Sequence, residues 1–193
     1  ILIYLFFYDD GAAPWRGIAG EGERVCDEEQ AFIKEVVRRF QRFRNLIWVV
    51  AEESEEANSH ERVRAVAACI KEADAHGRLI GNHHNSSTTF KAWAPDSALD
   101  HFAMQYTAAG DDAHAGAVEA LRKAGGRYQV IYSESTAAAP DARHAWTCAM
   151  GGLMPMMLEM NIADTPPETL KRCRILQTFF ESTDFHTMAP HAE

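Results

Sequence analysis

An α/β fold built on parallel strands is what this sequence predicts, and three observations predict it. Short apolar runs of strand length alternate with segments of helical period, six times over. No hairpin signal stands between consecutive runs, so each connection reads as a right-handed crossover. The chain has 193 residues, 47% hydrophobic and 24% charged, enough for one domain with a sizeable core.

The first run, Ile1 to Tyr8, ends at Asp9-Asp10-Gly11 and reads as a strand buried on both faces. It lacks the basic flank and cleavage site of a signal peptide, and with no Met before it an upstream portion is expected. After a Gly-rich loop, Asp27 with Gln30 three residues on forms a capping box. The helix it opens carries a stripe of Phe32, Val36, Phe40 and Phe43 with Ile33 and Val37. Leu46 to Ala51 is the second strand and runs into Glu52-Glu53. Ser59 caps a helix whose Val63, Val66, Ala67 and Ile70 share a face, and Gly77 is placed to end it in the left-handed conformation.

Leu79 to Asn82 is the third strand, Leu99 to Gln105 the fourth, and Tyr128 to Tyr132 the fifth, delivering Ser133-Glu134. Between the last two lies a helix with Val118 and Leu121 that stops at Gly125-Gly126. A helix over His144 to Met150 precedes the sixth strand, Leu153 to Leu158, which ends at Glu159. Thr165-Pro166-Pro167-Glu168 then combines a capping box with proline at the first helical position. The methionines 150, 154, 156, 157 and 160 read as core around that last strand.

A doubly wound sheet and a (β/α)8 barrel both fit six such units. Gly17, Gly20 and Gly22 lie well past the first strand and lack the GxGxxG spacing of a nucleotide-binding sheet. The units average roughly 32 residues, so eight would need about 256, near the ~250 of a (β/α)8 barrel. The prediction is therefore one partial TIM barrel over 1–193, with strands three to eight present and the first two βα units missing. Six strands cannot close such a barrel, so the segment by itself is expected to be poorly soluble or inactive.

Composition excludes several functions. With 19 Lys+Arg against 28 Asp+Glu, the charge is 19 − 28 = −9, which argues against a nucleic-acid surface. No apolar run reaches the ~20 residues that span a bilayer, so no membrane partner is expected. Cys26, Cys69, Cys148 and Cys173 form no CxxC and read as buried free thiols on helices.

In a barrel, chemistry sits where strands end. The strand-terminal residues are Asp9/Asp10, Glu52/Glu53, Asn82/His83/His84, Gln105/Tyr106, Glu134 and Glu159. An acid beside a buried strand is costly unless it is paired or faces a polar cleft. Glycosidic cleavage needs two carboxyl groups, one to protonate the leaving oxygen and one to attack or to activate water. Glu53 and Glu134, from separate strands, could supply them; equally, either could cap its strand or pair with an arginine. Glu55 and Glu56 read as a solvated approach to the next helix.

The stretches Asn45-Leu46-Ile47-Trp48 leading into Glu52-Glu53, Arg78 to His83, Leu99 to Gln105 and Ile131 to Glu134 make the sequence resemble the clan-A retaining glycoside hydrolases. More narrowly, it is similar to the apiosidase-like family, whose barrel usually precedes a domain assigned to collagen binding. The helix and Pro-containing exit from Ile175 to Pro190 match as well. The resemblance implies retaining double displacement on an oligo- or polysaccharide, with Glu53 as acid/base and Glu134 as nucleophile. It implies that His83 and Gln105 line the sugar site; the strand-end positions add Glu52, Asn82, Tyr106 and Asp10 as substrate-binding candidates, and a βα-loop position adds Trp15. It also implies secretion or a periplasmic location and a further C-terminal domain. Two positions depart from the family pattern. Glu52 stands where clan-A enzymes usually carry Asn, which leaves open which of Glu52 and Glu53 is the acid. Asn82-His83-His84 stands where Tyr-His-Pro is common.

This reading calls for no cofactor and no metal. A metal-dependent hydrolase using His83-His84 with Asp111, Asp112 and His114 is the weaker alternative, because adjacent strand histidines point to opposite faces. A non-catalytic carbohydrate-binding barrel is another, with Trp15 and Trp93 as stacking faces and Trp146 packed in a helix.

Overall fold

The structure, a computed structural model, describes residues 2–16, 24–87, 98–106, 111–134, 142–155 and 163–190. The strand runs predicted from sequence form six strands, and among the described residues a helix stands between each consecutive pair except the third and fourth. The chain divides into two compact units, one of residues 1–85 and 93–103, the other of 86–92 and 104–193.

The first unit begins with β1 (Ile3–Tyr8), α1 (Asp27–Phe40) and β2 (Leu46–Ala51). A one-turn 3₁₀ segment (Ser54–Glu56), α2 (His60–Ala73), β3 (Ile80–Ser87) and the start of β4 (His101–Tyr106) follow. β1 pairs in parallel with β2, and β2 with β3. The Asp100 N–H donates to the Ile80 carbonyl at 2.8 Å, leading into β4 beside β3.

β2 is buried at every position, as expected of a strand covered on both faces. β1 is not, contrary to expectation: Ile3 and Phe6 are exposed, and among the described residues β1 stands at the end of the strand order, paired with β2 alone. The α1 stripe is also narrower than predicted. Ile33 and Val37 are buried, whereas Phe32, Phe40 and Phe43 are exposed. The third inward position, one turn before Ile33, is filled by Glu29. Tyr8 and Arg62 both donate to its Oε1, and those bonds permit a carboxylate at a fully buried position.

Ser59 does cap α2, its hydroxyl accepting from the Arg62 N–H at 3.1 Å. Val63, Val66, Ala67 and Ile70 form the buried face. The capping box at Asp27 is not formed; Cys26 is the N-cap and Asp27 the first helical residue. α2 ends at Ala73, with left-handed Gly77 (φ 63°) in the loop beyond. There Asp74 accepts from Trp48 Nε1 at 3.2 Å, from the Arg78 N–H at 2.8 Å and from Arg78 Nη1 at 2.7 Å. Arg78 in turn donates to the carbonyls of Gln41 and Phe43, so one arginine pins two loops at the same end of the strands.

The second unit holds the end of β4, then α3 (Asp111–Ala124), β5 (Gln129–Glu134), α4 (Ala142–Met150), β6 (Met154–Pro155) and α5 (Pro167–Glu181). β5 pairs in parallel with β6, and Ser133 Oγ donates to the Met104 carbonyl of β4 at 2.9 Å. α3 stops just before Gly125 and Gly126, as predicted, and both glycines are left-handed. α3 and α4 approach closely: a Cβ on Gly151 would lie 2.4 Å from Cβ of Ala117. Trp146 of α4 packs on Phe179 and Phe180 of α5, in line with its helical reading.

α5 starts one residue later than predicted, with Pro166 as N-cap and no side-chain cap bond, so Thr165 does not cap it. Met150 and Met154 are exposed, so they are not core as expected; Met156, Met157, Met160 and the rest of the predicted sixth strand lie outside the described residues. All four cysteines are free thiols, but Cys69 and Cys173 are only half-buried, and Cys26 precedes its helix. Among the described residues no helix is long and apolar enough to cross a membrane. The fold is thus α/β, parallel strands alternating with helices in the pattern of part of a (β/α)8 barrel.

Candidate functional site in the turn after the second strand

At the exit of β2 the two glutamates part company. The Glu52 N–H still donates to the Tyr8 carbonyl at 3.1 Å, continuing the ladder. Glu53 leaves it with φ 36° and ψ 50°, a left-handed conformation costing an L-residue with a Cβ roughly 1–2 kcal/mol. It is the only non-glycine residue with positive φ among the described residues. Strain of this kind persists where neighbours enforce it, and functional sites are where it collects.

The enforcing neighbours come from β3. The Glu53 N–H donates to Nδ1 of His83 at 3.2 Å, and Asn82 Nδ2 donates to Ser54 Oγ at 2.6 Å. Asn85 Nδ2 donates to Glu53 Oε2 at 2.9 Å, and the Asn85 N–H donates to Glu55 Oε2 at 3.3 Å. Glu55 Oε1 lies 2.8 Å from Nδ1 of His84. Successive β3 side chains alternate faces, so His83 meets the edge of Phe6 while His84 sits against Phe102.

Electrostatics differ sharply over these few ångströms. Burial, aided by the neighbouring His84 charge, pushes the His83 pKa down to about 4, against the opposing pull of Glu55 and Asp10. Burial raises Glu52, helped by the like charges of Asp9 and Asp10. A hydrogen bond with Glu56 raises Asp10. Burial also pushes Glu55 up, but the bond to His84 and its charge outweigh that and hold Glu55 low. Asp10, Glu53 and Glu56 bring one oxygen each within 4.8 Å of one another, a hard-oxygen set of the type that suits Mg²⁺ or Ca²⁺.

The remaining sequence candidates take distinct places. Asp10 is exposed in the turn after β1. Trp15 is half-buried, its ring 5.7 Å from that of Phe32. Asn82 is fully buried and braces the turn through Ser54. In the second unit, Gln105 is half-buried on β4, and Glu134 is the half-buried last residue of β5. Tyr106 closes β4, but its side chain lies outside the described residues, as do Trp93 and Glu159 altogether. Four residues of the network escaped sequence reasoning: Asn85, Ser54, His84 as a partner of Glu55, and Glu55, which is not simply solvated as expected. β3 runs five residues past its predicted end at Asn82, through a polar stretch whose composition reads as loop.

Comparison with known proteins identifies the family of the chain. The apiosidase-like catalytic domain matches residues 2–140, which include Glu52, Glu53, His83 and Glu134. The chain belongs to the apiosidase-like family. No curated protein matches it. Among solved structures it is similar to a Bacteroides vulgatus protein provisionally assigned as a glycoside hydrolase, at 17% identity and a TM-score of 0.68 over 95% of the chain. It is also similar to a glycoside hydrolase family 5 protein of the same organism, at 18% identity and a TM-score of 0.50 over 66% of the chain. The chain spans 39% and 35% of the lengths of those two proteins, and at these identities the likeness is one of fold.

Proposed function

We propose that this protein hydrolyses a glycosidic bond in an oligo- or polysaccharide by retaining double displacement, with Glu53 as acid/base and Glu134 as nucleophile. The observation that carries the proposal is the left-handed turn at Glu53, which carries an acid off the end of a buried strand in a chain of apiosidase-like family. Glu134, ending β5, supplies the second carboxylate.

In the first step the Glu134 carboxylate attacks the anomeric carbon, the C–O bond to the leaving group breaks, and protonated Glu53 gives its proton to the departing oxygen. In the second, Glu53, now a carboxylate, takes a proton from water as that water attacks the same carbon and releases Glu134. Retention requires carboxyl groups about 5–5.5 Å apart. His83, neutral above about pH 4, serves as a hydrogen-bonding wall, with Gln105, Tyr106, Asp10 and Trp15 as further sugar contacts. The family resemblance also favours an exported protein.

Glu52 is a second assignment for the acid, favoured because burial and Asp9 raise its pKa toward the protonated form a general acid needs. The test is incubation with a fluorinated mechanism-based glycoside followed by peptide mapping. Label on Glu134 is expected, and label on another residue overturns the nucleophile assignment. Azide rescue of Glu53→Ala but not of Glu52→Ala, on an activated aryl glycoside, identifies the acid; the reverse transfers that role to Glu52.

A further inference from the structure

The carboxylate of Glu53 does not hang free from its turn. Its Oε2 accepts from Asn85 Nδ2 at 2.9 Å, and Asn85 is itself located by the 3.3 Å bond from its backbone N–H to Glu55 Oε2. Glu55 is held on its other oxygen by His84, which is 2% exposed and packed edge-on against Phe102. A buried ring thus anchors a carboxylate, the carboxylate anchors a strand residue, and the strand residue grips one oxygen of Glu53.

From this chain of contacts we infer that Asn85 is a positioning residue for general acid catalysis, aiming the Glu53 carboxyl by holding its Oε2. The inference rests on the reading of Glu53 as the acid/base. Its physical content is twofold. An amide N–H donated to one oxygen removes a rotational freedom of the carboxyl, and proton transfer is sensitive to that orientation. The same donor favours the carboxylate over the acid, so it also sets the pH at which Glu53 loses its proton.

Both effects are read from leaving-group and pH dependence in the protein. Asn85→Ala is expected to lower kcat/KM about tenfold for a phenyl glycoside, whose leaving group needs protonation, but no more than about twofold for the dinitrophenyl glycoside of the same sugar, which leaves unaided. The alkaline limb of its pH profile should move upward, because the acid keeps its proton longer. Asn85→Asp, nearly isosteric, should move it further by adding a like charge. Asn85→Gln, which keeps the amide donor, should recover part of the loss. Equal losses on both substrates, or an unmoved alkaline limb in Asn85→Ala and Asn85→Asp, overturn the inference. Glu53→Gln is the control: if it leaves the phenyl glycoside rate intact, the acid assignment fails. If it abolishes that rate while Asn85→Ala changes nothing, only the role of Asn85 fails.

Discussion

The backbone N–H of Glu53 donates to Nδ1 of His83 across 3.2 Å. Because Nδ1 is the acceptor, the ring proton of neutral His83 must sit on Nε2. One hydrogen bond therefore does two things: it holds a residue with a Cβ in the left-handed region, and it selects the tautomer of the histidine beside it. The turn is strained locally and enforced from the neighbouring strand, the expected relation where function and stability pull apart.

That relation predicts the stability of variants at position 53. Glycine occupies φ 36° without the Cβ penalty, whereas alanine retains it. Glu53→Gly should be more stable than Glu53→Ala by about 1 kcal/mol, measured as a shift in urea midpoint at constant slope. Both variants should lose acid catalysis. An alanine variant as stable as the glycine one would mean that the turn is not strained.

A steric prediction concerns Gly81. A Cβ there would lie 2.2 Å from Cε1 and Nε2 of His101, whose ring is 1% exposed and rests edge-on against Tyr4 at 5.5 Å. The ring has no low-cost retreat, so Gly81→Ala should cost about 1–3 kcal/mol or more. The damage should fall largely on the pair: in a double-mutant cycle His101→Ala should absorb much of the loss, giving a coupling well above the ~0.5 kcal/mol scatter of independent sites. Additive losses would contradict the contact.

Glu29 is fully buried, and its Oε1 accepts from both Tyr8 and Arg62. Glu29→Ala leaves a guanidinium and a phenol without their shared acceptor, so the loss should be about 3–5 kcal/mol by chemical denaturation. A loss below about 1 kcal/mol would mean that Arg62, 13% exposed, turns outward and is rehydrated.

These residues also show what was legible in the sequence. β2 was readable to the residue because burial on both faces leaves an unbroken apolar run, and Ser59 was readable because a cap bonds its own neighbours. Local rules failed where partners come from afar. Glu29 is inward only because Tyr8 and Arg62 meet it, and no periodicity records that. β3 looked finished at Asn82 because its continuation is made of the polar residues that brace the β2 turn. The alternation of strand and acid pointed to Glu52 and Glu53 together, but the left-handed backbone that sets Glu53 apart was not legible in it. Asn85 was invisible for the same reason: its role depends on register between two strands.

The buried histidines predict how stability follows pH. Burial lowers both His83 and His101 from 6.5 to about 4, and the two ring nitrogens of His101 have no hydrogen-bond partner among the described residues. Between pH 6.5 and 4 the unfolded chain binds protons that the folded chain refuses, so unfolding takes up protons and stability falls as pH falls. The stability is fully present above about pH 6.5 and is lost progressively toward pH 4. Glu52, whose pKa is raised in the fold, works in the opposite sense over the lower part of this window. Each histidine contributes at most ~1.4 kcal/mol per pH unit. His101→Leu, which removes one titrating ring, should therefore reduce the slope of unfolding free energy against pH by up to that amount between pH 5 and 6, with little change in slope above pH 7. An unchanged slope in the variant would mean that His101 accepts its proton in the folded state as readily as in the unfolded one.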